Sequence, residues 1–383
     1  VTVPTAVPFN RPDVGGRELE HMREAVERGH TSADGEFSAL AAATIAEEVG
    51  APLVLLTTSC TAALEMAGML LEIGPGDTIV VPAFGFVTTA LAYARQGARI
   101  LFCDIEPLTL GLDPEHLASL MDDSVRAVVP IHYSGIGCDV DGIRRVLARW
   151  PAADLVEDNA HGLFGRYRDQ PLGSFGRFAA LSFHETKTFI CGEGGALIVN
   201  DPADIDRARV IYHKGTDRHA FLLGEVEEYT WQDVGSSFGL SDVLAAFLHG
   251  QLERRDAILA RRRQVFDRYL ERLAPHADRL GLRLPEVPAD RRQAYSAFHL
   301  LVEDRERRDQ LLATMQSAGI QATFHYVPLH RSPGGLRVSL TPTECPVTDD
   351  ISGRLLRLPF FTTLADDDID RVVACLLAAA SAG

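Results

Sequence analysis

From Leu53 to Asn200 short apolar runs alternate with amphipathic stretches, and this rhythm restricts the fold more than any other feature of the chain. The runs are Leu53 to Thr57, Thr78 to Val81, Ile100 to Cys103, Ala127 to Ile131, Leu155 to Glu157, Ala179 to Phe183 and Ala196 to Val199. Runs of that length suit strands, and strands joined through helical crossovers lie parallel. The expectation is an α/β architecture, a mostly parallel sheet flanked by helices, with ligands beyond the C-terminal ends of the strands.

Ahead of the sheet, Arg17 to Arg28 and Glu36 to Val49 read as two helices. Behind it, an arginine-rich helical stretch from Asp242 to Leu273 leads away as a bridge. It is followed by strand candidates at Ser296 to Val302 and Gln321 to Tyr326 and helix candidates at Arg305 to Ala318 and Asp366 to Ala380. A chain of 383 residues supports one large core and a smaller second one. We therefore expect a large domain over residues 1–245 and a small α+β domain over 246–383.

Charge and cysteine usage narrow the function classes. A formal charge of -16 repels phosphodiester backbones, so nucleic acid is not the expected partner, and an anionic ligand needs a local cluster of donors. The six cysteines lack CxxC spacing, which points to neither a zinc site nor a disulfide framework. No apolar run reaches the roughly 18 to 20 residues of a membrane helix. No basic segment leads into an apolar one at the N-terminus, so a cytoplasmic location is expected.

Of the 37 basic residues only Lys187 and Lys214 are lysines. Arginine cannot form an imine with a carbonyl, because its guanidinium stays protonated and delocalised, so a retained lysine is a candidate for chemistry. Codon bias with two leftover lysines explains the count equally well.

Four segments converge on one rim if the sheet is parallel. Leu55 to Leu64 runs from a strand through Thr57-Thr58-Ser59-Cys60-Thr61 into a helix, whose first amides and dipole suit a phosphate; the same hydroxyls serve as a plain N-cap. Asp158, in Val156-Glu157-Asp158-Asn159-Ala160-His161, ends a buried strand, where a carboxylate needs a cation such as a protonated pyridine nitrogen, or else caps the next helix. Lys187, in Ser182-Phe183-His184-Glu185-Thr186-Lys187, leaves a strand beside Gly192-Glu193-Gly194-Gly195, a loop that lets backbone and ligand approach closely. Phe86, in Pro82-Ala83-Phe84-Gly85-Phe86-Val87-Thr88, either stacks on a flat cofactor or fills a core.

Together these segments resemble the DegT/DnrJ/EryC1/StrS sugar aminotransferase family. The resemblance runs from Pro8-Phe9-Asn10 to Arg357-Leu358-Pro359. It is most specific in Ser182 to Lys187 with Gly192 to Gly195, in Tyr229-Thr230-Trp231-Gln232-Asp233 with Gly235-Ser236-Ser237, and in Phe324-His325-Tyr326-Val327-Pro328-Leu329-His330. Within the family they are most similar to dTDP-4-amino-4,6-dideoxygalactose transaminases, which aminate dTDP-4-keto-6-deoxyglucose.

The resemblance implies the aspartate aminotransferase fold, called fold type I, and pyridoxal 5′-phosphate as cofactor. By motif position it implies that Lys187 forms the imine, Asp158 pairs with the pyridinium, His161 lies beside the ring hydroxyl and Phe86 stacks. Cys60, Thr61 and Ser182 would hold the phosphate. It further implies glutamate as amino donor, a nucleotide-sugar substrate, and a homodimer with sites at the interface. One departure stands out: Ser237 occupies the position of an asparagine that in other members reaches the neighbouring subunit's phosphate, and Gly239 that of an arginine. Ser236 or Ser237 has a hydroxyl to donate instead.

For the nucleotide, Lys214 and Arg218 offer two cations in one loop, though both read equally as solvated surface charge. His325, Tyr326 and His330 are expected on the sugar side, with a structural histidine as the alternative. Amination of a 3-keto sugar or a cyclitol, and a cofactor-binding regulator without catalysis, also stay open at this point.

Overall fold

The computed structural model describes residues 6–341 and 343–381. A seven-stranded sheet is built from β1 (Leu53–Thr57), β2 (Thr78–Pro82), β3 (Arg99–Cys103), β4 (Val125–Val128), β5 (Asp154–Asp158), β6 (Phe178–Ser182) and β7 (Gly195–Val199). Their order is β1-β7-β6-β5-β4-β2-β3. Only β7 is reversed, running antiparallel to both β1 and β6, while the other pairs are parallel. Helices cover both faces, so the strands are buried on both sides, and this is why they read as continuous apolar runs.

All seven expected strands form. The largest shift is in β4, which starts two residues early and stops at Val128 rather than Ile131. Pro130 has no amide to donate to a ladder, and beyond it the chain rejoins the sheet through the Ile131 to Asp158 bridge.

Helices α1 (Glu18–Glu27) and α2 (Glu36–Val49) precede the sheet as expected. The helix that matters most for the site is α3 (Cys60–Leu70), which starts where β1 ends. Ser59 caps it, its Oγ accepting from the Ala62 amide at 3.1 Å. Ala63, Leu64, Met66 and Ala67 are fully buried. Its first turn lies directly on β7: a Cβ at Gly195 would stand 2.4 Å from the Cys60 amide nitrogen, so only glycine permits the approach. Across the sheet edge, α4 (Thr88–Ala94) follows β2 and the Phe86 loop.

The single bridging helix expected from Asp242 to Leu273 is two, α5 (Asp242–Glu253) and α6 (Arg255–Leu273). The break falls at Arg254, whose guanidinium reaches Asp13 at 2.8 Å and Glu18 at 3.0 Å. No glycine or proline marks this position; ion pairs with a distant segment set it. The boundary expected at residue 245 falls inside α5, and α5 packs entirely in the first core, with Ala245, Ala246 and Leu252 against Phe37 and Ile45. The change of core runs along α6 instead. Ile258 packs with the first, and Val265, Phe266, Tyr269 and Leu273 pack with the second.

The second core gathers β8 (His299–Leu301), α7 (Arg305–Ser317), β9 (Leu355–Arg357) and α8 (Asp366–Ser381) around Phe298, Leu311, Met315, Leu356 and Leu376. Gln321 to Tyr326 is not a strand; only Thr323 bridges, to Arg357. Phe324 and Val327 are exposed, so the segment has no two-residue alternation to bury, and it leaves the β9 edge to carry His325 and Tyr326 elsewhere.

Side chains alternate across a strand, so Glu157 and Asp158 at the end of β5 face opposite sides of the sheet. Glu157 is fully buried. Its carboxylate accepts from the amides of Phe175 (2.6 Å), Gly176 (2.8 Å) and Gly173 (2.8 Å) and lies 2.9 Å from His132 Nε2. Removing it strands at least three buried donors, each worth roughly 1–3 kcal/mol. We expect Glu157→Ala to lose at least about 3 kcal/mol of stability in urea denaturation; a loss under about 1 kcal/mol would contradict this anchoring role.

Candidate active site

The C-terminal ends of β1, β2, β4, β5 and β6 open on one cavity of about 460 Å3. Each strand end delivers a side chain or amide to it. The first turn of α3 brings Ser59, Cys60 and Thr61, where the amides have no intrahelical acceptor. The loop after β2 brings Phe86, and β5 ends in Asp158 with Ala160 and His161 just beyond. β6 ends in Ser182, from which the chain turns through His184 and Thr186 to Lys187. His325 and Tyr326 close the side nearest the second core, their rings stacked 3.9 Å apart at 14°.

Lys187 is held by its backbone. Its amide donates to His184 O at 2.9 Å, the Glu185 amide donates to Gly192 O at 3.0 Å, and Asn10 Nδ2 donates to Glu185 O at 2.8 Å. Burial lowers the Lys187 ammonium from its ordinary value, against the opposing influence of Cys60 and Asp158. A desolvated amine of this kind is a better nucleophile and base than a surface lysine.

Asp158 has few partners for a buried carboxylate. Thr89 Oγ1 donates to Oδ2 at 2.6 Å, and the Ala160 amide donates to Oδ1 at 3.2 Å. Burial raises this carboxyl, while Thr89, Ala160 and the Lys187 charge pull it down. The imbalance favours a further cation beside it, which is what a protonated pyridine nitrogen provides.

His161 Nδ1 accepts from the Ser134 amide at 3.3 Å, which leaves Nε2 as the protonated nitrogen of a neutral ring. Burial holds this imidazole well below its ordinary value. The residues present therefore fit a flat, phosphorylated pyridine aldehyde at every end: amides and Ser182 for the phosphate, Asp158 for the ring nitrogen, Phe86 for a ring face and Lys187 for the aldehyde.

A family model described as the DegT/DnrJ/EryC1/StrS aminotransferase family matches residues 12–377. The chain belongs to that family. It is 30% identical over 382 residues to the spore coat polysaccharide biosynthesis protein SpsC of Bacillus subtilis (strain 168), covering 96% of this chain and 95% of the relative. The aminotransferase TlmJ from Streptoalloteichus hindustanus superposes with a TM-score of 0.89 at 28% identity, covering 98% of this chain and 99% of that one. DesV from S. venezuelae superposes with a TM-score of 0.85 at 26% identity, covering 95% and 94%. The protein is thus an enzyme, a pyridoxal 5′-phosphate-dependent aminotransferase of sugars or cyclitols, with the fold its motifs implied. No helix among the described residues is long and apolar enough to cross a membrane.

The aminotransferase does not gather all the expected residues. Cys60, Thr61, Phe86, Asp158, His161, Ser182, Lys187, His325 and Tyr326 line the cavity. His330 does not; it is buried outside, its Nε2 3.5 Å from Asp349. Lys214, Arg218, Ser236 and Ser237 belong to an arm over residues 213–237, closed by His213 to Ser237 and Thr216 to Trp231 bridges, and contribute nothing to this cavity within one chain. Gly215 lets the arm close, since a Cβ there would collide with Asp233 O.

Two further residues of the site, one behind the cavity wall and one lining it, carried no mark in the sequence. Thr89, one hydroxyl among many, is the direct partner of Asp158. Arg357, one arginine among dozens, lines the cavity beside Phe9.

Two outcomes follow from this geometry. Lys187→Ala should abolish the absorbance band of lysine-bound cofactor and reduce turnover to background, whereas Lys214→Ala should keep the band; a normal band in the Lys187 variant contradicts the assignment. The second concerns pH. Burial first, then the Arg357 charge, holds His299 down to about 3 and His325 to about 2. Unfolded histidine titrates near 6.5, so below that pH the unfolded chain binds protons that the folded one refuses. The associated stability is complete above about pH 6.5 and falls with decreasing pH, by on the order of 2 kcal/mol for His299 alone at pH 5. Urea denaturation at pH 7 and pH 5 should show the drop, and His299→Gln should lessen it; a variant with the wild-type pH dependence contradicts it.

Proposed function

We propose that the aminotransferase aminates a nucleotide-linked keto sugar, dTDP-4-keto-6-deoxyglucose, to a dTDP-4-amino-4,6-dideoxyhexose, with glutamate as donor. The carrying observation is that a desolvated lysine and a buried, under-partnered carboxylate share one cavity at the C-terminal edge of the sheet. The choice of substrate rests on the motifs from Ser182 to Lys187, Tyr229 to Ser237 and Phe324 to His330, and on the spare cations Lys214 and Arg218.

When bound, pyridoxal phosphate supplies an electron sink for the carbon that bears the amino group. Asp158, with Thr89 behind it, would keep the ring nitrogen protonated. The Cys60 and Thr61 amides and the Ser182 hydroxyl would hold the phosphate. Phe86 would cover a ring face, and His161 Nε2 would donate beside the ring hydroxyl. Lys187 Nζ would accept the proton that the donor's Cα loses, and in the second half-reaction would give a proton to the sugar carbon that receives the amino group. The donor product leaves before the sugar binds, so initial rates follow a ping-pong pattern.

The working unit is a homodimer in the cytoplasm, in which the arm over residues 213–237 brings Ser236 or Ser237 to the partner's phosphate and Lys214 and Arg218 to the nucleotide. Trp231 (81% exposed), Tyr229 and Val234 on that arm support the reading, since such apolar exposure is usually covered by a partner.

The decisive assay incubates the holoenzyme with glutamate and a panel of keto substrates: dTDP-4-keto-6-deoxyglucose, a 3-keto isomer and a keto cyclitol. Mass spectrometry and NMR should identify an amine at C4 of the dTDP sugar. Turnover confined to the 3-keto sugar or the cyclitol would replace this reading.

A further inference from the structure

Away from the cavity, α1 packs against α5, and the contact brings two imidazoles and a carboxylate together. His249 and Glu253 stand four residues apart on α5 and so share one face of that helix, and His21 meets them from α1. His21 Nε2 lies 2.9 Å from Glu253 Oε2, and His249 Nε2 lies 3.6 Å from Glu253 Oε1. One ligand atom from each residue falls within 4.8 Å of the other two. None of the three lines the cavity that holds Lys187.

A hydrogen bond from His21 to Glu253 satisfies one ring nitrogen and no more. The side chain of His21 is only 4% exposed and that of His249 16%, yet Nδ1 of both rings is buried without a hydrogen-bond partner. Leaving polar atoms in this state costs stability. The rings are nevertheless held side by side, their centroids 5.2 Å apart, by Phe37, which packs on both at 5.0 and 5.9 Å. His21 Nδ1 faces Glu24 Oε2 across 3.8 Å, and Glu24, 29% exposed, has room to close the gap. An imidazole that donates Nδ1–H to a carboxylate presents Nε2 as a lone pair, the arrangement found in metal-bound histidines.

We propose that His21 Nε2, His249 Nε2 and a Glu253 carboxylate oxygen bind one zinc ion, with water as the fourth ligand. Tetrahedral zinc with bonds of about 2.0–2.2 Å sets its ligand atoms roughly 3.3–3.5 Å apart. The separations of 2.9 and 3.6 Å bracket that range, so side-chain rotations let the ion replace the proton between His21 and Glu253. Two imidazoles with one carboxylate suit zinc, whereas magnesium and calcium take oxygen ligands. The cation nearest the site is Arg17, whose Nη1 is 3.7 Å from Glu253. It is 52% exposed and also pairs with Glu20 at 2.9 Å and Glu24 at 3.6 Å, so it turns aside without losing its partners. Glu24 in addition meets Arg28 at 3.6 Å.

Such an ion staples α1 to α5. Those helices flank the segment that enters the cavity: Asp13 O accepts from Gln251 at 2.8 Å, Asp13 pairs with Arg254, Asn10 donates to Glu185 O, and Phe9 lines the cavity. The zinc is structural. It steadies the segment from Phe9 to Asp13 and takes no part in the transfer of the amino group.

The test uses the untagged holoenzyme, dialysed against a chelator and titrated with zinc chloride by calorimetry. Wild type should bind one zinc per chain through this site, with a higher thermal midpoint and slower hydrogen exchange in α1. His249→Gln and Glu253→Gln should each weaken zinc at least about 10-fold and abolish the slowing in α1. Cys375→Ser, at a partly exposed thiol, should leave the affinity unchanged. Cobalt(II) in place of zinc should give the visible bands of a four-coordinate nitrogen and oxygen site, without a thiolate charge-transfer band. Cofactor content and thermal midpoint before zinc addition show whether each variant is folded, and Glu253→Gln, at an exposed position, carries the test if His249→Gln is not. Wild type that binds no zinc, binding that the folded variants retain, or binding lost in Cys375→Ser overturns the proposal.

Discussion

The structure turns on burying the carboxylate of Asp158 at the end of β5. A carboxylate there is costly unless its charge is met, and this chain meets it only partly, with one hydroxyl and one long amide bond. The deficit makes the cavity a place for a cation. Its surroundings are arranged accordingly: Thr89 comes from the start of α4, Lys187 faces it from the loop after β6, and Glu157 on the other face ties β5 to the 173–176 loop. Glu157 gathers its own donors and needs no ligand. Asp158, the next residue, has been left short of them.

Around that carboxylate the cavity is divided by charge. At one end, backbone amides of α3 and Ser182 offer neutral donors suited to a phosphate dianion. At the other, Arg357 offers a fixed cation beside neutral histidines. Burial keeps His161, His299 and His325 uncharged, so they direct hydrogen bonds without adding to the positive field. An acidic chain with a net charge of -16 thus keeps local donors, amides at one end of the cavity and Arg357 at the other, for anionic groups.

How much of this was legible in the sequence depended on whether the physical signal was local. The strands were, because burial on both faces leaves an unbroken apolar run. So was Lys187, because a lysine leaving a strand end stands out when only two lysines exist. Arg357 was not, because its meaning lies in the missing counter-ion, and sequence shows who is present rather than who is paired. Thr89 was hidden for the same reason. The break at Arg254 is set by Asp13 and Glu18, more than 230 residues away in the chain. His330 was expected in the cavity because it shares a motif with His325. The turn after Pro328 carries it to Asp349 instead. Ser236, Ser237, Lys214 and Arg218 lie on an arm outside the cavity, a separation in space that their place in the sequence does not display.

The central claim is that Asp158 holds a proton on the pyridine nitrogen of the cofactor. It is tested most directly by ¹⁵N NMR of the enzyme reconstituted with ring-labelled pyridoxal phosphate, followed from pH 6 to pH 9. The account predicts a pyridinium resonance that stays constant across the range, because the buried carboxylate stabilises the charged ring throughout. A resonance at the position of the neutral ring, or one that titrates within that range, would contradict it.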